Sequence, residues 1–177
     1  MSMDTITLGG GCFWCVEAVY ERVRGVTAVE SGYCNGHVVA PTYEQVCSGN
    51  TGHAEVVRVS YDTDEITLRE ILEIFFVVHD PTSLNRQGND VGTQYRSGIY
   101  YTTPEQEQVA REVIEGLKGA HGAPIVTEVL PLTNYSRAED YHQHYFAHHP
   151  NQGYCAFVVA PKVEKFRKTF ADRVRAA

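Results

Sequence analysis

Apolar residues follow two periods along this chain and predict alternating strands and helices. Ile6 and Leu8 alternate with threonines near the start, which is typical of a half-buried strand. After Thr67 the apolar residues recur every three or four positions, which is the period of an amphipathic helix. Strands are predicted over 5–8, 26–33, 55–61, 98–101 and 125–130, and helices over 16–23, 68–76, 104–117, 138–148 and 161–173.

Capping and turn residues mark the ends of these elements. Thr67 and Glu70 form a capping-box pattern, and Thr103 precedes a proline at the start of another predicted helix. Polar segments over 34–53 and 80–97 are predicted as loops. The connections differ in length and no dinucleotide-binding fingerprint is present. The pattern therefore predicts an α+β fold, in which helices pack against one sheet.

The chain has 177 residues, which suits one domain over 1–177 with a distinct C-terminal segment from about residue 150. Hydrophobic residues make up 43% and charged residues 21%, so disorder is excluded. The formal net charge of −7 removes the main driving force for binding nucleic acid. The start of the chain lacks a signal core, and apolar runs such as 74–78 are too short for a bilayer. A cytoplasmic protein without a membrane anchor is therefore expected.

Five cysteines in a chain that nothing marks for export suggest reduced thiols rather than a structural disulfide framework. Cys12 follows three glycines at the start of a predicted helix. Unpaired backbone N–H groups and the helix dipole favour a thiolate there, which predicts a lowered thiol pKa. The alternative is that Cys12 is a small buried hydrophobic residue. Phe13 and Trp14 come next, and their rings are predicted either as core or as an apolar wall beside the thiol.

Cys12 and Cys15 form a C-x-x-C pair. This spacing is found in thiol–disulfide redox motifs and is also half of a four-cysteine zinc site, for which no second pair is present. Redox use is therefore favoured over zinc, and a general thiol–disulfide oxidoreductase is one alternative function. A packing role for Cys15 remains open. His144 and His148 lie at i,i+4 within a histidine-rich segment, 140–149, but neutral surface or loop histidines are favoured there over a metal-binding module.

Two polar loops carry candidate acid and hydrogen-bonding groups. Glu55 ends the loop 41–55 and enters an apolar strand, where partial burial raises a carboxyl pKa and suits it to general-acid catalysis near neutral pH. An exposed strand-end glutamate is the alternative. The loop 85–96 has a hydrogen-bonding group on nearly every side chain. Tyr43 and Tyr95 are able to donate O–H groups to one acceptor oxygen, although a solvated loop explains them as well.

Short polar and aromatic segments recur in a fixed order along the chain. They are Gly11-Cys12-Phe13-Trp14, Pro41-Thr42-Tyr43, Gly52-His53-Ala54-Glu55, Gly88-Asn89-Asp90 and Gly92-Thr93-Gln94-Tyr95-Arg96-Ser97, followed by Tyr141-His142-Gln143 and Gly153-Tyr154-Cys155. Each segment alone is a modest signal, but the ordered set is specific. From about Gly9 to Cys155 the chain closely resembles the A class of peptide methionine sulfoxide reductases.

This resemblance implies a two-layer α/β sandwich with a mixed sheet, a ferredoxin-like core and an irregular C-terminal segment. It implies that Cys12 attacks the sulfur of a methionine S-sulfoxide, free or in an oxidised protein, and becomes a sulfenic acid. Glu55 is then the protonated acid that donates to the sulfoxide oxygen. The substrate-binding residues implied are Phe13 and Trp14 at the S-methyl group and Tyr43, Asp90 and Tyr95 at the oxygen.

The resemblance also implies how the enzyme is recycled. The sulfenic acid condenses with a second thiol, and thioredoxin, or dithiothreitol in its place, reduces the disulfide. No metal, flavin or nicotinamide is implied in the site. Many relatives have glycine where this chain has Cys15, and some carry two recycling cysteines in a tail, whereas here only Cys155 follows the core. Cys155 is the predicted resolving thiol, Cys15 is the local alternative and Cys34 is a third candidate.

Overall fold

A six-stranded mixed sheet forms the centre of the computed structural model, which describes residues 2–175. The strand order is β7-β6-β1-β3-β2-β8, and neighbours are antiparallel except for the parallel pair β6 and β7. A separate hairpin joins β4 and β5. The strands are β1 (Met3–Gly9), β2 (Val26–Cys34), β3 (Ala54–Asp62), β4 (Arg86–Gln87), β5 (Asp90–Val91), β6 (Gly98–Tyr101), β7 (Glu128–Pro131) and β8 (Ser136–Arg137).

Helices pack on one face of this sheet. Residues of α1, α3 and α6 share a core cluster with the apolar residues of β1, β2 and β3. The α+β class with a mixed sheet, predicted from the sequence, is thereby confirmed. The helices are α1 (Phe13–Tyr20), α2 (Tyr43–Cys47), α3 (Leu68–Val78), α4 (Pro104–Gly116), α5 (Tyr145–His148) and α6 (Ala160–Thr169), with 3₁₀ turns at Thr93–Tyr95, Asp140–His142 and Ala171–Arg173 and a π-helical turn at Cys155–Val159.

The alternation along β3 determines which side chains face the helices. Val57 and Val59 lie in the core cluster under the helices, whereas Val56 belongs to a small second cluster of the sheet. Glu55 has the same parity as Val57, and it pairs in register with Tyr33 of β2. The period of two therefore directs the Glu55 carboxyl toward the helix layer.

Capping boxes start two helices. At α3, Thr67 accepts a hydrogen bond from the Glu70 N–H, and the Glu70 carboxylate accepts one from the Thr67 N–H, as the sequence predicts. The same reciprocal pair, Thr42 and Gln45, starts α2 within the segment predicted as a loop. The loop prediction was therefore wrong for these residues. The sequence did not reveal the helix because α2 has only five residues, of which Val46 alone is buried, and so it shows no apolar period.

The predicted helix over 138–148 is also wrong. A 3₁₀ turn and the short α5 occupy this segment, and His144 separates them with a left-handed φ of 55°. The buried Gln143 side chain accepts a hydrogen bond from the Ser31 N–H and donates one to the Ser31 carbonyl. The chain thus follows the edge of β2 instead of winding into one helix.

The C-terminal part is helical over residues 155–169. The helix predicted over 161–173 from the apolar period is present as α6 but ends at Thr169. The irregular segment that the resemblance implied is not found over 155–169. Val163 and Phe166 of α6 are buried against the core, which explains the order of this part. Within residues 2–175, no helix combines the length and apolar character that crossing a membrane requires.

Candidate active site

A tight glycine turn places Cys12 at the first turn of α1. Gly11 has a φ of +92°, and a Cβ there would lie 2.7 Å from a Gln87 side-chain atom. A Cβ at Gly10 would lie 3.1 Å from atoms of Phe75 and of His79. The turn therefore needs small residues, and it leaves Cys12 as the residue that caps α1, with 8% of its surface exposed.

The electrostatic surroundings of Cys12 favour the neutral thiol in the free protein. Burial and the nearby Glu55 raise the pKa of the Cys12 thiol well above its ordinary value, and the Trp14 backbone N–H lowers it by less. The predicted lowering of this pKa was therefore wrong. The helix N-terminus does contribute in the expected direction, but loss of solvation outweighs it.

Glu55 lies next to this turn and is 1% exposed. The N–H of Phe13, the residue that follows Cys12, donates to Glu55 Oε1 over 3.2 Å. Glu55 Oε2 is buried and has no hydrogen-bond partner among residues 2–175. Burial raises the pKa of Glu55 to about 8, and the Phe13 N–H opposes this rise. At neutral pH the carboxyl thus holds a proton beside the thiol, with one oxygen free for a ligand.

Tyr43, Tyr95 and Asp90 lie around the same two groups. Both tyrosines are half-buried, and burial is the main cause that raises their pKa values. A hydrogen bond with the Cys47 thiol is the next cause for Tyr43, and the charges of Glu55 and Cys12 add to the rise in both. Asp90 contributes to the raised pKa of Glu55. The Tyr154 hydroxyl donates to Asp90 Oδ2 over 2.5 Å. The loops before β3 and β6 therefore bring two hydroxyl groups and a carboxylate to the mouth of the α1 turn.

The two aromatic residues after Cys12 have different surroundings. Phe13 is 0% exposed and packs against the rings of Tyr33, Tyr43 and His142, so it is part of the core beneath the site. Trp14 is partly exposed and belongs to the edge of the core. Trp14 is therefore the side chain of the two that presents an apolar surface at the opening.

Three neighbours of Trp14 were not recognised from their residue types. His142 Nδ1 accepts a hydrogen bond from the Trp14 indole N–H over 3.0 Å. The Tyr145 ring lies parallel to the indole, with centroids 3.8 Å apart and an interplanar angle of 5°, and Tyr154 meets it edge-on. The segments Tyr141-His142-Gln143 and Gly153-Tyr154-Cys155 were the available signals, but residue type alone favoured a neutral surface or loop histidine at position 142.

His142 does not lie at the surface, because only 1% of it is exposed. Burial lowers its pKa, so the ring is neutral at pH 7 and its Nδ1 is able to accept. His144, His148 and His149 are exposed, as expected. Among the described residues, the one set of three side chains close enough to share a metal ion is Glu17, Glu21 and His144, and it contains no cysteine.

The candidate resolving thiols differ in position. Cys15 is 2% exposed, three residues along α1 from Cys12, and its Sγ lies 3.8 Å from the Tyr154 hydroxyl. Cys155 is 0% exposed and begins the π-helical turn. Cys12, Cys15 and Cys155 all belong to the main core cluster. Cys34 belongs to the second cluster of the sheet, apart from them.

Known proteins match almost the whole chain. The family model for peptide methionine sulfoxide reductase matches residues 4–174. Peptide methionine sulfoxide reductase MsrA of Trichodesmium erythraeum (strain IMS101) is 57% identical over 176 residues, which cover 98% of this chain and 99% of that protein. The crystal structure of reduced Mxr1 from Saccharomyces cerevisiae is similar with a TM-score of 0.81 and 37% identity, covering 86% of this chain and 89% of that one. Mxr1 in complex with Trx2 is similar with a TM-score of 0.57 and 28% identity, covering 81% and 84%.

Proposed function

This chain belongs to the peptide methionine sulfoxide reductase family, and we propose that it reduces methionine S-sulfoxide to methionine through a sulfenic acid on Cys12. One observation carries the proposal. The Glu55 carboxyl, with a pKa of about 8 and a free buried oxygen, is held by the N–H of the residue next to Cys12. The substrates are the free amino acid sulfoxide and oxidised methionine in proteins, so the activity repairs oxidative damage.

The chemistry requires an acid because a sulfoxide sulfur is a poor electrophile until its oxygen is protonated. The Cys12 sulfur bonds to the substrate sulfur while Glu55 donates its proton to the oxygen and takes up the proton that the thiol releases. The hydroxyl group then moves from the methionine sulfur to the Cys12 sulfur while the bond between the two sulfurs breaks, so methionine leaves and Cys12 is a sulfenic acid. The methionine sulfur gains the two electrons that the cysteine sulfur loses. Because Cys12 and Glu55 both start protonated and Glu55 regains a proton from the thiol, no external proton is needed.

The remaining site residues bind the substrate. Trp14 offers its exposed ring surface to the S-methyl group, with Phe13 behind it. Tyr43 and Tyr95 direct hydroxyl groups at the sulfoxide oxygen, and Asp90 contributes negative charge that keeps Glu55 protonated. Separate binding positions for the methyl group and the oxygen select one sulfoxide epimer, because these two groups exchange positions in the other epimer.

The sulfenic acid is reduced in two further steps. A second thiol displaces water from Cys12 to form a disulfide, and thioredoxin reduces that disulfide by exchange of its own two thiols. The complex of the similar protein Mxr1 with Trx2 supports this partner, and dithiothreitol replaces it in the test tube. No metal or organic cofactor takes part in these steps.

Cys155 is the proposed resolving thiol, in the C-terminal segment 150–177 of a single domain over 1–177. Its place in the core beside α1 supports this assignment. Cys15 is the second candidate, because it lies three residues after Cys12 in α1 and the two thiols are therefore within one helical turn.

The proposed core is ferredoxin-like. The order β6-β1-β3-β2, with α1 between β1 and β2 and α3 between β3 and β6, supports it. In this arrangement the end of β1 and the start of β3 lie side by side at one end of the sheet's central strands. Cys12 and Glu55 lie near each other at that end.

The activity is tested with the two epimers of N-acetylmethionine sulfoxide, each incubated with the protein and dithiothreitol and followed by chiral chromatography. We expect the S epimer to be consumed and the R epimer to persist. Cys12→Ser is expected to abolish turnover, and Cys34→Ala, which changes a cysteine of the second cluster apart from Cys12, to preserve it. Consumption of both epimers, or turnover by Cys12→Ser, would contradict the proposal.

A further inference from the structure

Glu17 is a buried carboxyl that the chemistry above does not use. It lies on α1, three residues after Trp14, and is 1% exposed. A charged or polar side chain in such a place is retained only where its oxygens find hydrogen-bond donors, because burial without partners is costly. The identity of these donors shows what the side chain holds.

The donors come from the irregular segment that passes over Trp14. The Tyr145 N–H donates to Glu17 Oε1 over 3.2 Å, and the His144 N–H also donates to this carboxylate. The Ser31 hydroxyl of β2 donates to Glu17 Oε2 over 3.2 Å. Two successive backbone N–H groups and one hydroxyl thus converge on one buried carboxylate.

The backbone at this place is held in an unfavourable conformation. His144 has a φ of 55°, in the left-handed region that costs energy for a residue other than glycine or asparagine. The next residue, Tyr145, carries the ring that lies parallel to the Trp14 indole. The position of that ring therefore depends on the corner at residue 144, and the corner depends on its acceptor.

We propose that Glu17 is a positioning residue, whose carboxylate fixes the corner at residues 144–145 and thereby holds the Tyr145 ring against Trp14, the wall of the substrate pocket. Glu17 touches neither substrate nor the reacting atoms. The inference rests on the proposed function only for the role of Trp14 in binding.

Protonation of Glu17 removes acceptor capacity from the corner. Burial, with a smaller contribution from the neighbouring Glu21, raises the pKa of Glu17 to about 7. The His144 and Tyr145 N–H groups and the His144 ring oppose this rise. Arg137 also faces the His144 ring. The contact between the Tyr145 and Trp14 rings is accordingly tight above neutral pH and looser below it.

Trp14 is the only tryptophan in the chain, so its fluorescence reports on this contact directly. The experiment measures emission and acrylamide quenching between pH 5 and 9 in the Cys12→Ser, Glu55→Gln background, in which neither reacting group titrates. His142 also contacts the Trp14 indole, but burial lowers the pKa of its ring from 6.5, so its protonation falls at lower pH than that of Glu17. We expect a transition near pH 7. Adding Glu17→Gln is expected to remove it and to leave Trp14 as accessible to acrylamide as it is at low pH. A flat profile in the background protein, which needs no change at Glu17, would overturn the inference.

His144→Asn is the matched control, because the hydrogen bond with Glu21 raises the pKa of the His144 ring from its ordinary value and asparagine tolerates a left-handed φ. We expect this variant to keep the transition. Loss of the transition in His144→Asn, together with its retention in Glu17→Gln, would assign the effect to the histidine and overturn the inference.

The kinetic readout separates positioning from chemistry. In the otherwise unchanged enzyme, Glu17→Gln is expected to raise the KM for the S epimer about two- to tenfold, the range that an aromatic pair contributes, with kcat within about twofold. Glu17→Asp, which keeps the carboxylate, is expected to recover part of this loss. If Glu17→Gln and Glu17→Asp lowered kcat by the same factor, the positioning role of the carboxylate would be contradicted. A fluorescence transition without any change in KM would instead refute the binding role of Trp14.

Discussion

Replacement of Glu55 by glutamine removes the proton donor while preserving the size of the side chain. The glutamine oxygen is still able to accept the Phe13 N–H, and its amide group is able to face the substrate oxygen, but it cannot transfer a proton. The change therefore isolates acid catalysis from positioning. Glu105→Gln, which alters an exposed glutamate of α4, is the matched control.

The size of the effect follows from the surroundings of Glu55. With a pKa of about 8, roughly 90% of the carboxyl is protonated at pH 7 and about 10% at pH 9. Because a well-placed general acid contributes about 10²–10⁴-fold, Glu55→Gln is expected to lower kcat/KM at pH 7 by that factor. This corresponds to about 3–5 kcal/mol of transition-state stabilisation.

Two assays check this expectation. Initial rates of S-epimer reduction with dithiothreitol are measured from pH 6 to 10, and the wild-type rate is expected to lose its acid-dependent part above pH 8, whereas Glu55→Gln lacks that limb. Disulfide reduction by the same proteins is expected to be indifferent to the change. A kcat/KM for Glu55→Gln within about threefold of wild type would refute acid catalysis by this residue, because general acids contribute about 10²–10⁴-fold.

The same carboxyl gives a stability prediction with a defined sign. Its pKa is higher in the folded protein than in the unfolded chain, so the folded state binds the additional proton between about pH 4.5 and 8. Across that window Glu55 lowers the free energy of unfolding by about 1.4 kcal/mol for each unit of rising pH. Urea unfolding is expected to show Glu55→Gln more stable than wild type at pH 8.5 and similar to it at pH 4.5. A variant less stable at the higher pH would contradict the buried neutral acid.

Three further changes test other parts of the account. Cys155→Ser is expected to keep one turnover of sulfoxide and to lose thioredoxin-driven turnover, while Cys15→Ser keeps both; the reverse pattern in stopped-flow and steady-state assays would make Cys15 the resolving thiol. His142→Phe removes the acceptor of the Trp14 indole N–H and is expected to raise the KM for the S epimer several-fold, measured at pH 7, and an unchanged KM would remove His142 from the support of the pocket. Phe75→Ala in the core is expected to cost about 3–5 kcal/mol in chemical denaturation, and a loss below about 1 kcal/mol would contradict its 0% exposure.

The sequence predicted those features that local patterns determine. The capping box at Thr67 and the alternation in β3 each depend on a few neighbouring residues. The direction of the Glu55 side chain follows from that alternation, because Val57, two residues later, faces the core. The placement of Cys12 at the start of α1 follows in the same way from the glycines and the helical period behind them.

Features that depend on distant contacts were not predictable in this way. The acceptor for the Trp14 indole is His142, 128 positions away, and Gln143 reaches Ser31 across 112 positions. These contacts hold the 138–148 segment in its irregular path although its composition favours a helix. The pKa of Cys12 was predicted with the wrong sign for a related reason, because the loss of solvation comes from tertiary packing whereas the helix dipole is local.

The central claim, that Cys12 accepts the sulfoxide oxygen, is tested most directly by trapping the oxidised cysteine. A Cys15→Ser, Cys155→Ser double variant is mixed with one equivalent of the S epimer, treated with dimedone and examined by peptide mass spectrometry. We predict one dimedone adduct, on Cys12, formed in equal amount with methionine. Methionine released without an adduct on Cys12, or an adduct on Cys34 or Cys47 in its place, would contradict the claim.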